Sequence, residues 1–304
     1  MTSTCSGVPD ETELAARAGS MPLRPGTAIA YDRTGGGDGE PLVLIHAGIA
    51  DRRMWEPVTP ALGAEREVIR VDLRGYGEST ARPSGSWSAR ADVLAILDAL
   101  GIERAHLVGC SFGAGVAAEI AVERPALVAT LALAAPGGAL LSERTDDLLA
   151  FFAAEEAALE AGDLEAAVDA NVRAWVDGPH RGPEIVPAKT REAVRSMQRL
   201  AFEITADWPD SVWEDDTDEL DPPLTERLHE IAAPTLVVVG EQDMDAVRRA
   251  ADHVLAQVPD ARGVAWPDVA HLPSMERPGD FVTEVLSWVA RGEGRQRAED
   301  AVPW

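Results

Sequence analysis

The chain of 304 residues is 46% hydrophobic and 26% charged, which suits one large globular α/β domain or two small ones. Its 52 acidic and 27 basic residues leave a net charge of −25, a field that argues against nucleic acid and anionic membrane surfaces as partners. Two cysteines are too few for a disulfide framework, zinc-type His/Cys/Asp spacing is absent, and no apolar run approaches the roughly 20 residues of a membrane helix.

Residues 1–22 mix polar residues with Gly and Pro without periodicity and read as a flexible N-terminal tail. The first twenty carry neither the basic start nor the apolar stretch of a secretory signal, so the expected compartment is the cytoplasm. Residues 27–31 are a short strand candidate, closed by the breaker cluster Gly35-Gly36-Gly37-Asp38-Gly39. Residues 41–45 are wholly apolar, the mark of a strand buried on both faces, and end in His46-Ala47-Gly48. A helix starts near Arg52 and carries Trp55. Residues 68–71 form the next strand and lead into the turn-rich loop Asp72-Leu73-Arg74-Gly75-Tyr76-Gly77-Glu78-Ser79. Residues 91–100 form a helix with Val93, Leu94, Leu97 and Leu100 on one face and Gly101 beyond its end.

The stretch Leu107-Val108-Gly109-Cys110-Ser111-Phe112-Gly113 follows. An apolar strand enters a Gly-x-Ser-x-Gly turn, and a small-residue helix leaves it through Ala114, Ala117, Ala118 and Ile120. Strand, sharp turn and helix with a serine at the apex is the setting of a nucleophile elbow, in which the residues two before and two after the serine nearly touch and must be small. Strand alternation turns Cys110 inward, away from substrate.

Residues 127–135 are another apolar strand. The strand–helix alternation then stops, and residues 139–229 show helical spacing only, as in Val168, Val172, Trp175 and Val176 or Val194, Met197, Leu200, Ala201 and Ile204. An insertion of that length is too long for a connecting loop. The α/β pattern resumes with a strand at 234–240, a helix at 246–258, a strand at 263–266 and a helix at 281–290, and residues 292–304 read as a polar tail. Wholly apolar strands alternating with helices predict a mainly parallel sheet covered on both faces, with a core of residues 23–138 and 230–291.

A serine nucleophile needs a histidine base, and the base needs an orienting group. Reactive groups in open α/β sheets gather beyond the carboxyl ends of strands, and of six histidines only His46 and His271 meet that condition. Asp243 follows a strand and can supply the acid, with Asp245 as a substitute. The order Ser111, Asp243, His271 is that of the α/β-hydrolases.

Five stretches carry the resemblance to that superfamily over residues 23–291: His46-Ala47-Gly48, the Asp72-to-Ser79 loop, the elbow, Gly240-x-x-Asp243 and Ala270-His271. The resemblance implies an oxyanion hole built from the backbone N–H groups of Phe112 and Gly48, a helical cap in the 139–229 insertion, and no cofactor. It also implies structural roles for His46 and for the Asp72-to-Ser79 loop. Asp51-Arg52-Arg53-Met54-Trp55 is similar to the corresponding segment of the 3-oxoadipate enol-lactonase group, so Arg52 or Arg53 is a candidate contact for a substrate carboxylate. Trp175 and Trp213 are candidates for lining an apolar pocket beneath the cap. The expected function is a serine hydrolase of small or medium esters or lactones, as a monomer or homodimer. A carbon–carbon bond hydrolase or lyase on the same triad, or a ligand-sensing protein with little turnover, are the alternatives.

Overall fold

The computed structural model describes residues 17–24, 27–209, 211–214 and 218–300. Eight strands form one sheet: β1 (Arg17–Arg24), β2 (Thr27–Thr34), β3 (Leu42–Ile45), β4 (Val68–Val71), β5 (Ala105–Cys110), β6 (Val128–Ala134), β7 (Thr235–Gly240) and β8 (Ala261–Trp266). Their order is β1-β2-β4-β3-β5-β6-β7-β8; the β1–β2 and β2–β4 pairs are antiparallel and every other pair is parallel. Parallel pairing sets the carboxyl ends of β5, β6, β7 and β8 in a row, as the pairs Cys110–Ala134, Ala134–Val238 and Gly240–Trp266 show.

Period-two alternation divides the core. Leu42, Leu44 and Val108 face one side of the sheet, against α1 (Thr59–Glu65) and the closing helix; Val43, Ile45 and Leu107 face the other, against α2 (Ala89–Ala99) and α3 (Phe112–Glu123). Every residue of β3, β5 and β6 is buried, which is why these strands read as continuous apolar runs. Helix α2 begins where the Ser88 hydroxyl accepts from the Ala91 N–H at 3.2 Å and ends before Gly101, at φ 69°.

Among the described residues, only helices lie between β6 and β7. They are α4 (Asp146–Glu160), α5 (Leu164–Asn171), which runs into a π-helical turn at Val172–Asp177, α6 (Ala188–Thr205), α7 (Ser211–Glu214) and α8 (Leu224–Arg227), with short 3-10 turns. After β7 come α9 (Asp245–Gln257), α10 (Pro273–Glu276) and α11 (Pro278–Asp300). Among the described residues no helix is long and apolar enough to cross a membrane.

Two expectations at the ends of the chain are corrected. Residues 17–22, assigned to a tail, belong to strand β1, which pairs with β2 through backbone hydrogen bonds that need no apolar alternation. The tail assigned to 292–304 is helical as far as Asp300; Arg66 reaches Glu293 at 2.6 Å, and the Glu, Arg, Gln and Ala of this stretch are strong helix formers.

Candidate active site

Ser111 sits between β5 and α3 at φ 53° and ψ −116°, one of two non-glycine residues with positive φ among those described. Such a conformation costs about 1–3 kcal/mol and persists only where its surroundings enforce it. Here the Ser111 N–H donates to the Ala134 carbonyl at 2.9 Å, and the Ser111 carbonyl accepts from the N–H groups of Ala114 and Gly115. A Cβ on Gly109 would stand 2.6 Å from the Gly113 carbonyl carbon, and one on Gly113 would stand 2.6 Å from that of Ile45. Both glycines are therefore required by backbone contact.

Beyond β7, Asp243 is fully buried; its Oδ1 accepts from the Met244 N–H and its Oδ2 from His271 Nδ1, each at 2.8 Å. A carboxylate only accepts, so the imidazole proton is on Nδ1 and Nε2 is left as the basic nitrogen. His271 lies in the loop after β8, where its carbonyl accepts from the Cys110 thiol at 3.7 Å, so the base is tied to the residue before Ser111. Burial, with the charge of Asp243 added, pushes that thiol far above its usual range and leaves it neutral. Asp245 is turned elsewhere: its N–H donates to Asp147 Oδ2 at 2.8 Å and its carboxylate lies 3.7 Å from Arg248. Trp175, on the π-helical turn, packs against the His271 ring at 4.4 Å between centroids, the planes tilted by 43°, and Phe151 of α4 packs edge-on against Trp175 at 5.1 Å.

The loop after β3 borders the elbow. A Cβ on Gly48 would lie 3.5 Å from both Phe112 Cβ and the Tyr76 hydroxyl oxygen. His46 is fully buried beneath it; Nδ1 donates to the Ala47 carbonyl and Nε2 accepts from the Leu73 N–H, both at 2.8 Å. With both nitrogens committed and burial holding its pKa down, His46 is a neutral strut. Asp72 accepts from the N–H groups of Arg52 and Glu78 at 2.8 and 2.9 Å, and Arg74 forks onto Asp92 at 2.8 and 2.6 Å. The Asp72-to-Ser79 loop is thus held through Asp72 and Arg74, in part by partners outside it at Arg52 and Asp92.

That network settles where Arg52 points. Its guanidinium pairs with Asp32, Asp72 and Glu78, so it is not available as the substrate contact the sequence suggests. Arg53 likewise forks onto Asp51, with nitrogen–oxygen distances of 2.6 to 3.1 Å. The segment's similarity to the enol-lactonase group does not reveal these counter-ions, because three of the four carboxylates come from elsewhere in the chain. The side chain of Trp213 lies outside the described residues.

Three residues not singled out by the sequence border this region. Gly137 approaches the nucleophile so closely that a Cβ there would lie 2.9 Å from Ser111 Oγ. Tyr76 faces Gly48, as above. Glu155 of α4 is bound by Asn171 of α5 at 2.5 Å. The only available signal for Glu155 is that it breaks the buried stripe of Leu148, Phe151 and Ala158. Metal-type spacing among the described residues occurs at Glu40, His106 and Glu293, at the opposite end of β5, where Arg104 and Arg66 already approach the two glutamates.

A family model for the alpha/beta hydrolase fold matches residues 40–278. Over 115 residues, the chain is 43% identical to the dihydrolipoyllysine-residue acetyltransferase component of the acetoin cleaving system of Pseudomonas putida, covering 37% of this chain but only 31% of that protein. It is 30% identical over 271 residues to the putative non-heme bromoperoxidase BpoC of Mycobacterium tuberculosis, covering 86% of this chain and 97% of the relative. Among solved structures it is similar to Est816, described as an N-acyl homoserine lactone degrading enzyme, with a TM-score of 0.66, 25% identity and coverage of 87% and 98% of the two chains.

Proposed function

The chain belongs to the α/β-hydrolase fold family, and on that premise we propose that it is a cofactor-independent serine hydrolase of small or medium esters and lactones. The observation that carries this reading is the 2.8 Å hydrogen bond from His271 to Asp243, formed beyond two strands adjacent in the sheet, at the end where Ser111 is held in its strained turn. The likeness to Est816 supports the lactone side of the substrate range.

In this mechanism Ser111 Oγ attacks the substrate carbonyl while His271 Nε2 takes its proton. The tetrahedral intermediate places its oxyanion against the N–H groups of Phe112 and Gly48; one such donor is worth about 100- to 1,000-fold in kcat. Collapse expels the alcohol, which receives the proton from His271, and leaves an acyl ester on Ser111. A water deprotonated by His271 then releases the acid and restores the serine. Asp243 fixes the imidazole's tautomer and stabilises the imidazolium, and the Trp175 face adds a cation–π contact to the charged ring. The helices of residues 139–229 act as a cap that keeps water from the reacting centre.

Replacing Ser111 by Ala tests the reading. Turnover of p-nitrophenyl acetate and butyrate should vanish, together with labelling by a fluorophosphonate. Retained turnover would overturn it, and labelling of the wild-type serine without turnover of any ester or lactone would instead identify a ligand-sensing protein.

A further inference from the structure

Helix α4 is amphipathic with one exception. Leu148, Phe151 and Ala158 form its buried stripe, and positions 152–154, 156 and 157 are exposed. Glu155 falls on the buried stripe, four residues after Phe151 and three before Ala158, and is half-buried. That face is turned toward the triad, since Phe151 packs on Trp175 and Trp175 on His271. A carboxylate in such a place is costly unless a cation or several donors compensate it. No arginine pairs with Glu155 among the described residues. Its donor is Asn171, itself 2% exposed, whose amide nitrogen gives one hydrogen to Glu155 Oε1 at 2.5 Å and the other to the Ala167 carbonyl at 3.0 Å.

With both amide hydrogens spent, Asn171 has only its oxygen left to offer. The Tyr76 hydroxyl lies beside Gly48, and burial, with the charge of Glu155 as a smaller cause, pushes its phenol up to about 12. Burial likewise holds the Glu155 carboxyl above its usual range. Among the described residues Glu155 thus has one amide donor and no paired cation, and the net charge of −25 favours the approach of one.

Resting on the serine-hydrolase reading, we infer that Glu155, braced by Asn171 on the cap's buried face one helical turn from Phe151, receives the ammonium group of the substrate, so that the preferred esters carry a primary amine. A primary ammonium offers three donors and the compensating charge, where a neutral alkyl chain offers neither.

Two matched pairs of esters test this. Methyl 6-aminohexanoate and methyl heptanoate place the ammonium or a methyl group on the acyl side, and 6-aminohexyl acetate and heptyl acetate place it on the alcohol side. In one pair kcat/KM should favour the ammonium ester by about tenfold or more, as a charge-assisted hydrogen bond allows. Glu155→Gln should bring that ratio close to one, and Glu156→Gln on the exposed side of the helix should leave it unchanged. Wild-type preference for the neutral ester in both pairs, or an unaltered ratio in Glu155→Gln, would overturn the inference while leaving ester hydrolysis intact. A binding readout separates it from the activity: hexylammonium should slow fluorophosphonate labelling of Ser111 more than hexan-1-ol does, in the wild type but not in Glu155→Gln. Protection of that kind without ester turnover would retain the ammonium site and refute the hydrolase reading. Equal protection by both compounds would refute the site.

Discussion

Arg52 distinguishes a structural cation from a substrate-binding one. In Arg52→Met the stem of the side chain is kept and the charge is lost. Asp32 keeps its fork from Arg70 at 2.8 and 2.7 Å, and Glu78 is largely solvated, so the loss falls on Asp72, whose side chain is fully buried. Removing one partner of a buried pair costs about 3–5 kcal/mol; the N–H donors of Arg52 and Glu78 remain on Asp72, so the expected loss is about 3 kcal/mol. At an m-value of about 3 kcal/mol/M this lowers the urea midpoint by about 1 M. The pH dependence adds a signature. Burial already raises the Asp72 carboxyl above its usual range, and losing Arg52 raises it further. A carboxyl with its folded pKa above its unfolded one has its stability fully present below the unfolded pKa, and loses it as pH rises through the folded value. The gap between variant and wild type should therefore be widest at pH 8 and narrower at pH 5. Equal midpoints at pH 8, with a raised KM for esters bearing a carboxylate, would refute this account and restore Arg52 as a substrate contact.

Gly137→Ala should spare the fold and damage the chemistry. The backbone at Gly137, φ −147° and ψ −163°, suits alanine, but the new methyl would crowd Ser111 Oγ at 2.9 Å. Relieving that contact displaces the nucleophile, and a misplacement of about 1 Å costs about 100-fold in rate; a wild-type kcat/KM with an unchanged melting temperature would count against the placement of the nucleophile. Trp175→Ala should lose about 3–5 kcal/mol of stability, as large buried aromatics do. It should also lower kcat through the uncovered His271 ring, and Trp175→Phe should recover most of both. Unfolding by urea and steady-state kinetics on one preparation separate the two effects, and a kcat unaffected by Trp175→Ala would exclude the packing role.

The elbow is legible in the sequence because backbone contact dictates it: only glycine fits at positions 109 and 113, and strand and helix patterns flank them. Asp243 and His271 are legible because parallel strands place their following loops at one end of the sheet, a consequence of topology more than of motif. The roles of Arg52 and Arg53 are not, since a charged residue in a sequence gives no sign of its counter-ion, and for Arg52 these lie at positions 32, 72 and 78. Pairing of β1 with β2 is hidden for a related reason, as hydrogen bonds between main chains leave no apolar alternation to read. Glu155 becomes meaningful only when helix α4 is docked, because the face it occupies is then seen to be the one turned toward Trp175 and His271.

The central claim is that Ser111 becomes acylated during turnover. Rapid quenching of the enzyme with p-nitrophenyl butyrate, followed by mass spectrometry of its peptides, measures this directly. The account predicts a burst of nitrophenol approaching one equivalent when deacylation is slower than acylation, with a butyryl adduct on the peptide containing Ser111. Deacylation as the faster step would still leave that adduct at a lower level. Steady turnover with no adduct at Ser111 under any quench time, or with the adduct on another residue, would contradict it.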